Sequence, residues 1–383
     1  MEEDTSPASE MTLGTYKAED ARVLAKEDMS FFGALSLPDV CTVLFPAIFT
    51  GMWKLVIAAL LRKRDFSKFA LGLPRGHGKT TVIKLLIVFI VLFTNKRFIL
   101  IVGASATLAE NILADVVDIL DSPNIIRLFG NWSTSRTIDR ADQKVFTFKG
   151  RKIVLKAIGT GGTLRGINVG NARPDVIICD DMQTKEEAES EATSKKLLQW
   201  FVGTLMKAKN PFGCTYLYVG NMYRDIKIGG STSDIYTCIL RNLQRNETWV
   251  SWIVGGILTD GTALWPEVQP IEQLLDELKN DTMMGQAEVF FSEVLNDPAA
   301  GSTDWFDIAK MPVMPFLDTV STWRNGEKAV FMQMIDKNLD KHGDPSVERD
   351  FMIRESIMAA IGFQLSDEVQ ALTIARTLDI SVG

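Results

Sequence analysis

The sequence predicts an α/β fold: a mainly parallel sheet with helices on both faces, followed by a small helical subdomain. Three observations lead there. Apolar runs of strand length recur at Phe69 to Leu73, Arg97 to Gly103, Asp175 to Asp180 and Thr215 to Gly220, with helical patterns between them. Strands that are apolar throughout, rather than alternating, belong to sheets covered on both faces. A Pro/Gly-rich bend, Pro74-Arg75-Gly76-His77-Gly78, leads through Lys79, Thr80 and Thr81 into a long apolar helix from about Thr80 to Phe93. Beyond Leu264-Trp-Pro-Glu267 the pattern turns helical.

At 383 residues the chain has room for two domains, or for one domain and a subdomain. A hydrophobic share of 46% and a charged share of 23% are ordinary for a globular protein. The net charge of −7 argues against a protein that coats nucleic acid, but a local basic patch is enough for a motor that touches DNA with one face. Arg62-Lys63-Arg64, Lys195-Lys196 and Lys207/Lys209 are local clusters, read first as solvated surface. Cys41, Cys179, Cys214 and Cys238 are widely spaced, and His77 and His342 are the only histidines, so a zinc site is not expected. Cys179 and Cys214 lie in apolar runs and read as small core residues in a reducing, intracellular setting. The acidic N-terminus has no signal-peptide pattern. The apolar stretch from Val82 to Phe93 is shorter than the roughly 20 residues of a membrane span, and no membrane partner is expected.

Taken in order, residues 1–28 are polar and read as a flexible tail. Residues 31–62 carry apolar groups at helical spacing, with Trp53 read as core or as a border for a base. A helix from Leu108 to Leu120 follows the second strand, capped by Ser105 or Thr107. Val145 to Phe148 and Lys152 to Ala157 alternate around Gly150-Arg151, as a hairpin does. A Gly-rich loop at 159–166 precedes the acidic strand, and a polar helix from about Thr184 to Lys207 follows it. Thr248 to Gly256 reads as a further strand, then Pro270 to Leu278 and Met283 to Leu295 as helices, with a break at 296–301. The expected boundaries are a core at 29–245, a helical lid or linker subdomain at 246–308, and a C-terminal segment at 309–383.

The strand, bend and helix at 66–84 are the setting of a phosphate-binding P-loop. In the nucleotide-binding stretch Pro74 to Thr81, the backbone N–H groups at the helix start and the positive end of the helix would face the phosphates of ATP. Lys79 would reach the β- and γ-phosphates, and the Thr80 hydroxyl would ligate Mg²⁺. The usual pattern begins with Gly where this chain has Leu73. Asp180 and Asp181 end an apolar strand; placed next to the P-loop strand, Asp180 would serve the metal, and Asp181 would orient the attacking water. A strand ending in a helix cap is the plainer alternative. Asn221, at the end of another strand, suits a sensor of the γ-phosphate or a plain loop residue. Arg75 suits an arginine finger or a salt bridge to a surface acid. Arg165 and Arg173 flank the acidic strand and suit phosphate binding, contact with a neighbouring subunit or pairing with a core carboxylate. The fold expected from these parts is a P-loop NTPase of the ASCE/RecA-like type.

Pro74-Arg-Gly-His-Gly-Lys-Thr80, Thr163-Leu-Arg-Gly166, Arg173-Pro-Asp-Val-Ile-Ile-Cys-Asp-Asp181, Leu264-Trp-Pro-Glu267 and Asn296-Asp-Pro298 occur in that order. The set resembles the ATPase part of the large terminase subunit of tailed bacteriophages, over roughly residues 35–308. The deviant P-loop with an internal Arg is in keeping with that family. The resemblance implies an ATP-driven motor that moves double-stranded DNA into a procapsid, acting in the host cytoplasm. It implies a ring of subunits, a portal protein and a small terminase subunit as partners, and Lys79, Thr80, Asp180, Asp181, Arg75 and Asn221 in the roles above. Large terminases usually add an RNase H-like nuclease, for which residues 309–383 are too short; Asp318, Asp336 and Asp340 lie there without a strand pattern. A separate nuclease chain or an interrupted chain is the expectation, and nuclease activity is not predicted. Two alternatives stand beside the packaging motor: another DNA translocase or helicase-like ATPase, and a nucleotide-binding assembly protein that hydrolyses little.

Overall fold

The computed structural model describes residues 17–62, 66–164, 172–228 and 235–298. The segment 309–383, residues 1–16 of the tail, and Arg165 lie outside the described residues. In order, the elements are α1 (Ala18–Glu27), α2 (Met29–Ser36), α3 (Ala47–Leu60), β1 (Phe66–Gly72), α4 (Lys79–Phe93), β2 (Phe98–Gly103), α5 (Ala106–Leu120), α6 (Pro123–Phe129), β3 (Arg136–Arg140), β4 (Gln143–Phe148) and β5 (Arg151–Gly159). There follow β6 (Val176–Asp180), α7 (Lys185–Glu189), α8 (Glu191–Trp200), β7 (Cys214–Gly220), α9 (Ile239–Gln244), β8 (Val250–Ile253), α10 (Ile271–Met283) and α11 (Ala287–Glu293). The chain divides into two compact units, one of residues 1–256 and 263–305, the other of 257–262 and 306–383. Of the second, the described part is a turn in which the Leu258 N–H donates to the Thr262 carbonyl at 2.8 Å.

One eight-stranded sheet runs in the order β3-β4-β5-β2-β6-β7-β1-β8. From β5 to β8 every pairing is parallel, and β3 and β4 extend one edge as an antiparallel hairpin. The register aligns Gly103 with Asp180, Asp180 with Val219, and Gly72 with Gly220. Four central strands therefore end together, and the loops that follow them leave from one edge. Ligands in open α/β sheets bind outside this carboxyl edge. With its P-loop and this strand order, the chain has the P-loop NTPase fold. The acidic strand β6 does not neighbour β1, however; β7 lies between them. Chain order does not dictate sheet order, and here the later strand β7 is inserted between β1 and β6.

Helix α4 is buried from Val82 to Leu92 except at Lys84, which is half-buried and pairs with Asp115 at 2.6 Å. Its apolar character on every side follows from its position between the sheet and the N-terminal helices. Phe89 meets Trp53 at 5.5 Å and Phe32 at 5.8 Å edge-on, and Phe93 at 4.8 Å in a tilted pair. Trp53 is thus a core residue. On the other face, Phe201, Tyr216, Tyr218 and Trp249 pack with α7, α8 and α9. All four cysteines are free and buried. Among the described residues no helix is long and apolar enough to cross a membrane.

The structure departs from the sequence expectation in three places. Residues 18–27, read as tail, form α1: acids in its first turn and Lys26 in its last suit the helix dipole, and Ala21 and Ala25 bury one narrow face. The strand β8 pairs with β1, so the core sheet extends beyond the boundary drawn at residue 246. The polar helix after β6 is two helices, because the Ser190 side chain accepts from the Thr193 N–H and starts a second one.

Candidate functional site

The P-loop leaves β1 at Gly72 and enters α4 at Lys79. Gly76 and Gly78 have φ of 77° and 73°, in the left-handed region that only Gly enters freely. A side chain at 76 would also strike Gln269, whose Nε2 lies 2.4 Å from the position of a Cβ. Gly78 caps α4 without any side-chain bond, so the first N–H groups of the helix are left to face a ligand. His77 is fully buried, and its Nδ1–H donates to the Arg75 carbonyl at 2.9 Å. Burial holds its pKa below the usual histidine value, partly offset by that carbonyl, so the ring is neutral at pH 7. Trp265, from the Leu264-Trp-Pro-Glu267 motif, packs on Phe45 at 5.2 Å and lies 3.7 Å from the Cβ position of Gly78.

Lys79 and Thr80, on the first turn of α4, reach across to the ends of β6 and β7. The Lys79 ammonium donates to Asn221 Oδ1 and lies 3.3 Å from Asp181 Oδ2. The Thr80 hydroxyl donates to Asp180 Oδ2 at 3.2 Å. Asp181 turns back toward Lys79 through a left-handed φ of 42°, which Asp tolerates better than most residues. Five residues singled out from the sequence are thus brought together: Lys79, Thr80, Asp180, Asp181 and Asn221. Pro74 is buried beside them, and Thr81 is half-buried on the same turn.

Burial, then the neighbouring charge of Asp181, push the Asp180 carboxyl up to about 7, against the opposing pull of Lys79 and the Thr80 hydroxyl. Its Oδ1 is buried without a partner. A hydroxyl beside a carboxylate oxygen in need of a partner is a donor pair that fits Mg²⁺. That ion takes one or two protein oxygens and completes its shell with phosphate and water. Among the described residues no three His, Cys, Asp or Glu gather as a metal cage.

Arg75 does not lie over Lys79. Its guanidinium pairs with Glu293 and its side chain is 68% exposed, so the salt bridge considered for it is the arrangement present. Glu293 holds its pKa above the ordinary arginine value through that bond. Arg173 is exposed just ahead of β6.

Sequence reasoning missed Glu293, and named Asn296 only within the Asn296-Asp-Pro298 motif, without a role. The Glu293 carbonyl accepts from the Arg75 N–H at 2.8 Å and from Asn221 Nδ2 at 2.9 Å. Asn296 Oδ1 accepts from Asn221 Nδ2 at 3.3 Å and from the Met222 N–H at 3.0 Å. Its Nδ2 donates to the Val254 carbonyl at 2.8 Å. The signal available was Asn before Asp-Pro at the end of a helix, where Asn accepts the left-handed φ of 53° that aims its side chain inward.

The chain is similar in fold to ATPase domains of phage large terminases. The ATPase domain of the Thermus phage P74-26 large terminase superposes with a TM-score of 0.34 and 16% identity, covering 61% of this chain and 90% of that one. The bacteriophage HK97 large terminase gives a TM-score of 0.45 and 10% identity over 73% of this chain and 55% of its own. The chain thus spans about half of that protein. The large terminase of a thermophilic bacteriophage in complex with ATP-γ-S gives 0.27 and 16%, over 46% and 38%. No protein-family model and no curated protein matches the sequence. The strand order and the loop geometry, rather than these scores, carry the fold assignment.

Proposed function

We propose that this chain hydrolyses ATP to ADP and phosphate, and that in its assembly the reaction drives double-stranded DNA through a portal into a procapsid. The observation that carries the ATPase reading is the convergence of Lys79, Thr80, Asp180, Asp181 and Asn221 at one edge of the sheet. The N–H groups of Gly76 and Gly78, with those of the first turn of α4, cradle the phosphates. Lys79 exchanges Asn221 and Asp181 for phosphate oxygens. Thr80 and Asp180 would hold Mg²⁺, which would supply positive charge against the nucleotide phosphates. Asp181, once free of Lys79, orients water. Asn221, bonded to both Lys79 and the end of α11, senses whether Lys79 is engaged. Arg75 acts as a finger only by leaving Glu293.

The packaging part of the proposal is supported by the ordered motif set and by its resemblance to large terminases. A ring of copies, a portal, a small terminase subunit and a separate nuclease chain are the proposed partners, in the host cytoplasm. Steady-state ATPase is measured with and without procapsids and DNA, for the wild type and Lys79→Ala. Turnover stimulated by procapsids and abolished by the substitution is expected. Turnover unchanged in Lys79→Ala ends the ATPase reading, and stimulation by free DNA alone favours a translocase unrelated to packaging. The Lys79–Asp181 salt bridge favours a second reading, a nucleotide-binding assembly protein, which negligible turnover in every condition would support.

A further inference from the structure

Strand β7 runs between the acidic strand β6 and the P-loop strand β1. Side chains alternate across a sheet, and the register sets Tyr218 opposite Cys179 and Val219 opposite Asp180. Asp180 turns to the α4 face, where Thr80 meets it, and Tyr218 turns to the face covered by α7, α8 and α9. Gly220, two residues on, shares the face of Tyr218.

The position a Cβ would take at Gly220 is rimmed by three atoms: Tyr218 Cε1 at 3.2 Å, Asp181 Oδ1 at 3.5 Å and the Tyr218 hydroxyl oxygen at 3.6 Å. The glycine's own chain neighbours aside, no atom lies nearer. Neither oxygen is otherwise engaged. Asp181 Oδ1 is buried and accepts no hydrogen bond, while its Oδ2 faces Lys79. The Tyr218 hydroxyl makes no hydrogen bond among the described residues, although the residue is 2% exposed. Its ring is fixed edge-on against Phe201 at 6.1 Å. Burial, with a smaller share from the charge of Asp181, raises the pKa of this hydroxyl well above the ordinary tyrosine value, so it remains a donor at any working pH. A buried acceptor and a buried donor left unbonded each cost free energy. The two do not bond each other directly. Two oxygens flanking a space of methyl size give one water the room and the two partners it requires.

We propose that Tyr218 is a positioning residue for Asp181: its hydroxyl donates to one water seated beside Gly220, and that water donates to Asp181 Oδ1. The inference rests on the ATPase reading, in which Lys79 leaves Asp181 for a phosphate oxygen. Oδ2 is then free to meet the attacking water, and the bond on Oδ1 keeps the carboxylate from rotating away. A side chain at 220 would close the space.

The test joins a structure to kinetics, both on the full chain. A crystal structure of the nucleotide-free protein, at a resolution that shows waters, is expected to place one within hydrogen-bond distance of both the Tyr218 hydroxyl and Asp181 Oδ1. If no water bonds both, the proposal is overturned, whether or not the chain hydrolyses ATP. Steady-state turnover and the calorimetric affinity for ATP-γ-S with Mg²⁺ are then compared in wild type, Tyr218→Phe and Gly220→Ala. Tyr218→Phe removes the donor and keeps the ring. Gly220→Ala fills the space without backbone strain, because Gly220 is not in the left-handed region. Each is expected to lower kcat about tenfold, the effect of one hydrogen bond, with affinity kept within about twofold. Unchanged kcat in Tyr218→Phe, or affinity that falls as far as kcat, overturns the positioning role; Gly220→Ala decides alone if Tyr218→Phe does not fold. Turnover that Lys79→Ala leaves unchanged is the separate failure of the ATPase reading, which the water site survives.

Discussion

Replacing Asp180 by Asn tests the electrostatics of the candidate site without breaking its hydrogen bond, since the amide oxygen still accepts from Thr80. The carboxyl sits at about 7 in the folded chain, against an ordinary 3.8, because it is buried and lies beside Asp181. Between those two values the native state keeps a proton that the unfolded chain has released. Stability from this group is therefore fully present at low pH and lost as pH rises through about 7. About three pKa units at 1.36 kcal/mol each give about 4 kcal/mol over the whole window, of which about 3 kcal/mol falls between roughly pH 5 and pH 8. His77 contributes with the opposite sign: its lowered pKa makes stability fall as pH drops below the usual histidine range. It is common to both proteins and cancels in their difference. Urea unfolding across that range, without magnesium or nucleotide, should show the wild type losing about 3 kcal/mol more than Asp180→Asn. Adding Mg²⁺ and ADP should flatten the wild-type curve, because a cation favours the ionised carboxylate. Parallel curves for the two proteins would refute the assignment of a raised, buried Asp180.

Other substitutions separate the remaining roles. Arg75→Ala should leave stability within about 1 kcal/mol, as for an exposed ion pair, and lower kcat by a factor of about 10³ if Arg75 swings to the γ-phosphate. A change of only a few-fold would reduce it to the partner of Glu293. Gly76→Ala forces a left-handed Ala against Gln269 and should cost about 1–3 kcal/mol by denaturation, with weaker nucleotide binding in calorimetry; a neutral effect would contradict the loop geometry. Asn221→Asp keeps an acceptor for Lys79 but sets a carboxylate oxygen against the Glu293 carbonyl and Asn296 Oδ1, so a loss of about 2 kcal/mol is expected in urea unfolding. Phe89→Ala should cost about 3–5 kcal/mol, and a value below about 1 kcal/mol would mean the aromatic cluster is loosely packed.

The local parts of the site were legible because each has a short-range cause. The bend at 74–78 announces itself by Gly at left-handed positions. The strands at 98–103 and 176–180 are apolar on both faces because helices cover both. Residues 145–157 pair as the antiparallel hairpin β4–β5, with β3 outside it at the sheet edge. What was illegible depends on long-range partners. Nothing in Asp175 to Asp181 says that β7 separates it from the P-loop strand. Arg75 carries no mark of Glu293, more than two hundred residues away. Asn296 read as a chain break, because the feature that makes it structural, two loops converging on one amide, exists only in the folded state.

A single peptide carbonyl, that of Glu293, closes both the Arg75 amide and the Asn221 amide. The last turn of α11 is therefore a shared hinge pin: the two loops cannot each loosen on their own account without leaving that oxygen half-bonded. Fraying of this one turn would release the phosphate loop and the Asn221 loop in the same event. In hydrogen exchange the Arg75 N–H would then report the integrity of a helix far from it in sequence, with its protection rising and falling with that of α11.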